Sequence, residues 1–135
     1  MESVSHSPEE KKRADALSHE IISAAIEVHR HLGPGLLESA YQKCLEHELF
    51  TKDIKFRAQV DLPIQYKGVF LNAAYKLDLF IEELVIVELK SVAKLEPIFE
   101  AQLLTCLRLT QKWLGLLINF NVPLLKDRIK RLVHG

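Results

Sequence analysis

The chain has 135 residues, 48% hydrophobic and 27% charged, with 18 basic and 18 acidic side chains that cancel to a formal net charge of zero. That length suits one soluble domain over 1–135, core at about 14–133, able to bury about two thirds of the surface its unfolded chain exposes. Neutral charge weighs against broad, non-specific hold on nucleic acid, no apolar run approaches the ~20 residues of a membrane span, and the polar start lacks a basic-then-apolar leader, so a cytoplasmic location is expected.

Ser7-Pro8-Glu9-Glu10 sets an N-cap serine before a proline at the first helical position and a glutamate at the third. Ala14, Leu17, Ile21, Ala25, Val28 and Leu32 then recur at steps of three and four, which predicts an amphipathic helix to about His31. Gly33-Pro34-Gly35 ends it. From Leu36 to about Lys52 the period is again helical, with Leu37, Ala40, Tyr41, Cys44, Leu45 and Leu49 near one face. Glu38 lies at the margin of that stripe in the first turn, where a carboxylate also suits the helix dipole.

After Asp53 the pattern changes to strands. Phe56 to Tyr66 alternates in part, Lys67-Gly68 supplies a turn, and Val69 to Ile81 continues as a second strand. The apolar run Leu84 to Leu89 reads as a central strand covered on both faces. Glu96-Pro97 opens a helix from Ile98 to about Thr110 whose apolar residues wrap most of its circumference, so it should be largely buried. Gln102 falls on its Ile98, Cys106, Leu109 side, as either a satisfied core amide or a site residue. Lys112 to Phe120 is a further core strand, and Leu124 to Val133 is a short helix or an edge strand. The order α-α-β-β-β-α-β plus a C-terminal tail predicts an α/β fold, a mixed β-sheet flanked by helices. A right-handed crossover makes the strands on either side of the later helix parallel.

Three charged residues stand out at the edge of this apolar core: Asp78, Glu88 and Lys90. Glu88 and Lys90 are two apart on a strand and point to one face, roughly 7 Å apart at their Cα atoms. Should Asp78 lie across from Glu88, two carboxylates and a lysine converge and a divalent cation would join them; the alternative is a strand-edge salt bridge. For Asp78 and Glu88 to share a face of antiparallel strands their paired positions must sum to an even number, which requires an odd-length loop around Glu83 or a bulge. A two-residue Glu82-Glu83 turn would put them on opposite faces.

Other constellations are weaker. His29 and His31, two apart on a helix, do not share a face, and His6, His19, His47 and His134 read as surface residues. Cys44 and Cys106 fall inside apolar helical patterns and read as reduced core residues. Gly33-Pro34-Gly35 lacks the lysine and spacing of a phosphate-binding loop. A local basic patch for nucleic acid is offered by Lys126, Arg128, Lys130 and Arg131, opposed only by Asp127, with a solvated terminal face as the alternative.

Asp78, the ten-residue step to Glu88, and Glu88-Leu89-Lys90, in this element order, resemble the catalytic signature of the PD-(D/E)XK nuclease superfamily, the restriction-endonuclease-like fold. More narrowly, the run from His29 through Gly33-Pro34-Gly35-Leu36-Leu37-Glu38 to Tyr41, with Ala101-Gln102-Leu103-Leu104 and Gly115 to Phe120, is similar to the GxxExxR family of small bacterial and archaeal proteins. The resemblance covers about Leu17 to Val133. It implies that Asp78 and Glu88, with the Leu89 carbonyl, hold Mg²⁺ or Mn²⁺, an oxygen donor set that suits these hard cations. It further implies that Lys90 stands beside the attacking water, that Glu38 reaches the site from its helix and that Gln102 supports it. The implied activity is phosphodiester hydrolysis of nucleic acid, DNA before RNA, with a non-catalytic nucleic-acid- or protein-binding module as the alternative. The same resemblance implies a homodimer, since duplex cutting often pairs two single-site subunits. Tyr41 stands where the GxxExxR name carries arginine, Cys106 stands four residues after Gln102 where tyrosine is frequent, and Leu77 rather than proline precedes Asp78.

Overall fold

The computed structural model describes residues 5–135, with Ala73, Ala74 and Asp127 described in backbone alone; the polar start at 1–4 lies outside the described residues. Helix α1 (Pro8–Leu32) begins where Ser7 Oγ accepts the Glu10 N–H at 3.0 Å. It ends at Gly33, whose φ of 68° is a left-handed turn that a side chain would strain. Helix α2 (Glu38–Thr51) starts two residues later than the periodicity suggests. Leu37 is therefore its N-cap and points outward, 77% exposed, instead of joining the apolar stripe.

Strands β1 (Phe56–Tyr66), β2 (Val69–Ile81) and β3 (Val85–Lys90) meander antiparallel. Helix α3 (Pro97–Thr110) then carries the chain to β4 (Leu114–Asn119), which pairs parallel with β3 as the crossover requires. The tail settles as a short 3₁₀ turn, Leu125–Asp127, followed by β5 (Ile129–Val133), an antiparallel edge strand on β4. The five strands lie in sequence order, so β3 is central, and its first five residues are buried. The fold is thus the mixed α/β sheet with flanking helices that the element order predicts.

Two cores follow from two covered faces. Ile21, Ala25, Tyr41 and Leu45 of α1 and α2 pack on Leu79, Val85, Val87, Leu89, Leu116 and Ile118. On the other face Leu103, Cys106 and Leu107 of α3 pack on Phe80, Ile86 and Leu117. Each fully buried Leu or Ile contributes about 1.5–3 kcal/mol, so both layers hold the sheet. The expectation of a largely buried α3 is corrected here. Only one stripe of it meets the sheet, because no further layer of the described chain lies outside it, and Ile98 (56%), Leu104 (39%) and Leu109 (41%) remain exposed.

The histidines need a similar correction. His6, read as a surface residue, has its side chain buried beside Glu10, Nδ1 to Oε2 at 2.6 Å, and His134 Nδ1 is also enclosed. Both flank regular elements, where periodicity gives no burial signal. His29 is buried and its Nε2 meets the Val122 carbonyl at 2.7 Å, so it ties α1 to the turn after β4.

Candidate metal centre

The hairpin loop between β2 and β3 decides whether the two carboxylates meet. Ile81 pairs with Val85, Phe80 with Ile86 and Leu79 with Val87, leaving Glu82, Glu83 and Leu84 as a three-residue loop. Its odd length gives the even register that a shared face demands. Glu82 and Glu83 both take left-handed φ, 54° and 53°, and the turn closes through Leu84 N–H to Ile81 O at 2.9 Å.

Regular pairing stops at Leu79 and Val87, and Asp78 and Glu88 come next on either strand. There side chains replace the backbone ladder. The Asp78 N–H donates to Glu88 Oε1 at 3.4 Å, and the Leu89 N–H donates to Asp78 Oδ2 at 2.8 Å. Each carboxylate is thus held by the opposite strand. Since a strand residue sends its N–H and C=O to the same edge, the Leu89 carbonyl faces this gap as well, whereas the Lys90 carbonyl turns to β4 and accepts the Phe120 N–H at 2.9 Å.

A twist in the β1–β2 hairpin opens the gap. Phe56 and Val60, four apart on β1 and due on one face, lie in opposite cores; so do Leu79 and Leu77, two apart on β2. Between them Gln59 takes a φ of 51°, a conformation that costs a non-glycine residue about 1–2 kcal/mol. The strain is concentrated directly beside Asp78. Gln59 Nε2 donates to Asp78 Oδ1 at 3.3 Å and to Gln42 Oε1 at 2.9 Å, while Gln42 Nε2 donates to the Asp78 carbonyl at 3.3 Å and to Glu46 at 3.1 Å. Neither glutamine is foreshadowed by spacing, because an amide in a helix or strand pattern looks like any other polar residue.

Glu88 is only 4% exposed. Burial first, and the Asp78 carboxylate second, push its pKa up to about 8, against the opposing influence of Lys90. A buried carboxyl in this state holds a proton near neutrality unless a cation offsets its charge. Lys90 shares the Glu88 face and lays its Nζ over the Phe99 ring at 4.6 Å from the centroid; among the described residues no ion pair joins it to either carboxylate.

Asp78 opens into a cleft of about 520 Å³ lined also by Leu36, Glu38, Gln42, Gln59 and Ser91. Glu38 is brought to this cleft as the first residue of α2. The wall is pinned: Ser91 Oγ donates to the Leu36 carbonyl, and the Tyr41 hydroxyl donates to Gly33 O while accepting the Leu36 N–H at 3.2 Å. Tyr41 itself is buried, stacked on Phe120 with centroids 4.4 Å apart. Gln102 does not line this cleft. It faces a separate cavity with Ile98, Cys106 and Leu109, the grouping its helical spacing predicts, and receives the Tyr75 hydroxyl at 3.4 Å.

The C-terminal basic run divides. Lys130 Nζ lies 3.5 Å from Glu100 of α3, while Arg131 pairs with Asp15 of α1 and lies over the Trp113 ring at 5.5 Å, so these two flank opposite faces of the sheet. Lys126 and Arg128 are exposed beside them.

Among the described residues no three His, Cys, Asp or Glu side chains gather at one point. The oxygen donors here are two carboxylates and a backbone carbonyl, a set that suits a hard cation whose other positions go to water and phosphate. A mixed sheet in which the central strand and its β2 neighbour each set one carboxylate at the opened end of their ladder, with a lysine two residues on from the central one, belongs to metal-dependent nuclease folds. The chain is a member of the PD-(D/E)XK nuclease superfamily, whose family model matches residues 15–132. No match was found among curated proteins, and none among solved structures. Among the described residues no helix is long and apolar enough to cross a membrane.

Proposed function

We propose that this protein is a Mg²⁺- or Mn²⁺-dependent nuclease of the GxxExxR type that hydrolyses phosphodiester bonds, with DNA as the preferred nucleic acid. The observation that carries the reading is the reciprocal pair of cross-strand hydrogen bonds that fixes Asp78 and Glu88 against each other where the β2–β3 ladder ends. Asp78, Glu88 and the Leu89 carbonyl hold the cation. When bound, such an ion lowers the pKa of its water and offsets phosphate charge. Lys90 steadies the nucleophile or the developing negative charge from the Glu88 face. Glu38, across the cleft, accepts from a substrate or water ligand rather than completing the inner set. Gln42 and Gln59 orient Asp78, and Gln102 braces α3 behind the site.

Gln42→Leu is expected to lower Mn²⁺ affinity about 10–100-fold, the usual weight of a group that orients a metal ligand. Calorimetric titration reads it, and an unchanged affinity would assign the orientation of Asp78 to the Leu89 N–H and the Gln59 amide without Gln42. The function itself is tested by incubating the protein with supercoiled, linear, single-stranded and branched DNA and with RNA, in Mn²⁺ and in chelator. Metal-dependent cleavage of at least one DNA is the expected result. Binding without cleavage on every substrate would favour the second reading, a non-catalytic module.

A further inference from the structure

The second cavity, about 270 Å³, lies between β1–β2 and the outer stripe of α3, walled by Leu62, Ile64, Tyr75, Ile98 and Leu109 with Gln102 among them. We propose that it receives one unstacked nucleobase of the nucleic acid whose backbone lies at Asp78 and Glu88, so that the substrate is single-stranded or locally distorted; this rests on the nuclease reading above. Its volume falls just below the about 300–1,000 Å³ of drug-sized clefts, which fits a single ring system rather than a long chain.

The chemistry of the walls selects a base over other apolar guests. Tyr75 supplies an aromatic ring and Leu62, Ile64, Ile98 and Leu109 an apolar lining, the setting in which flipped bases are held. The Gln102 amide is half-buried, and its Oε1 takes the long 3.4 Å contact from Tyr75 while its Nε2 has no hydrogen-bond partner among the described residues. An alkyl chain would leave that amide unsatisfied, at a cost. A base edge, which carries donors and acceptors side by side, would pair with it.

Position supplies the other half. Tyr75 precedes Asp78 by three residues on β2, and burial first, then the Glu88 and Asp78 charges, raise the Tyr75 hydroxyl and push the Cys106 thiol up to about 12. Phe99, next to Ile98 of the cavity rim, carries the Lys90 ammonium. A strand crossing the carboxylate pair therefore meets a cation and then an apolar cavity within one or two nucleotides. A stacked duplex cannot place a base there without extruding it.

The test is fluorescence anisotropy with a labelled single-stranded DNA oligonucleotide in Ca²⁺, comparing the intact strand with strands carrying one abasic site at successive positions. One position is expected to weaken binding about tenfold when its base is removed, the weight of a base–aromatic stack. Ala101→Trp, which sets an indole at the cavity mouth from the exposed side of α3, is expected to abolish that sensitivity. Equal binding of intact and abasic strands by the wild-type chain overturns the base cavity and leaves the nuclease reading standing. No binding of any single strand also overturns the base cavity, while the nuclease reading stands or falls on cleavage of the duplex, branched and RNA substrates.

Discussion

Glu88→Gln is expected to make the metal-free protein more stable above about pH 8 while removing its stabilisation by Mg²⁺. Glu88 is raised from its ordinary range to about 8 in the folded chain, first by burial and then by Asp78. The folded state therefore holds one more proton than the unfolded state between about pH 4.5 and 8. Stability supplied by this group is fully present below the unfolded value and is lost as pH rises through the folded one. At about 1.4 kcal/mol per unit, the decline amounts to a few kcal/mol across that window. Glutamine carries no such proton and can still accept the Asp78 N–H, so the decline should flatten. If Glu88 holds the cation as proposed, a divalent ion substitutes for the proton in the wild type, so Mg²⁺ should stabilise most at alkaline pH and release about one proton on binding. Urea unfolding between about pH 5 and 9, with chelator and with Mg²⁺, separates the two curves. Parallel curves for the two proteins would show that Glu88 ionises freely and is no metal ligand.

The elements of this fold were legible because each is written in a strong local code. Ser7-Pro8, the Gly33-Pro34-Gly35 stop and the Lys67-Gly68 turn set boundaries that the structure keeps, and β1 and β2 match their predicted spans residue for residue. What the sequence concealed was conformational. Glu82 and Glu83 both adopt positive φ without a glycine or asparagine to announce it, so the length of the loop that brings Asp78 to Glu88 was open between two and three residues. Gln59 hides the twist of the hairpin in the same way. The outward side of α3 was concealed for another reason. Ile98, Leu104 and Leu109 have the composition of core residues, and only the absence of a layer beyond α3 among the described residues leaves them at the surface.

The candidate site shows the same division. Asp78, Glu88 and Lys90 were readable as charges out of place in an apolar run, and the register joins the first two. Glu38 reaches the cleft because Gly33 and Gly35, both at positive φ, let the chain turn back before α2 begins. Gln42 and Gln59 were not readable, since what distinguishes them is a partner 17 to 36 residues away in sequence. The C-terminal basic run illustrates the converse. Its charges are contiguous in sequence, but on a strand neighbours face opposite ways, and Lys130 and Arg131 are drawn to acids on different helices.

Lys90→Ala is expected to lower cleavage at least about 10²–10³-fold, the scale of losing one positioned charge-stabilising donor, while metal-dependent thermal stabilisation persists. Asp78→Ala should lose both. The separation follows from two opposed effects of the ammonium on its surroundings. Lys90 lowers the proton affinity of Glu88, so removing it strengthens proton competition for that carboxylate. Removing it also withdraws a positive charge that repels the cation. These act on metal affinity with opposite signs and should leave it nearly unchanged, whereas nothing replaces the ammonium that the proposed mechanism sets beside the scissile phosphate. Its rest position over the Phe99 ring, 4.6 Å from the centroid, holds the side chain by its cationic head without a carboxylate partner among the described residues. It is therefore available to phosphate without first breaking an ion pair. Single-turnover cleavage, measured beside thermal shift in Mn²⁺, reads both quantities on the same samples. Cleavage by Lys90→Ala at the wild-type rate would reduce Lys90 to a strand-edge charge that packs on Phe99.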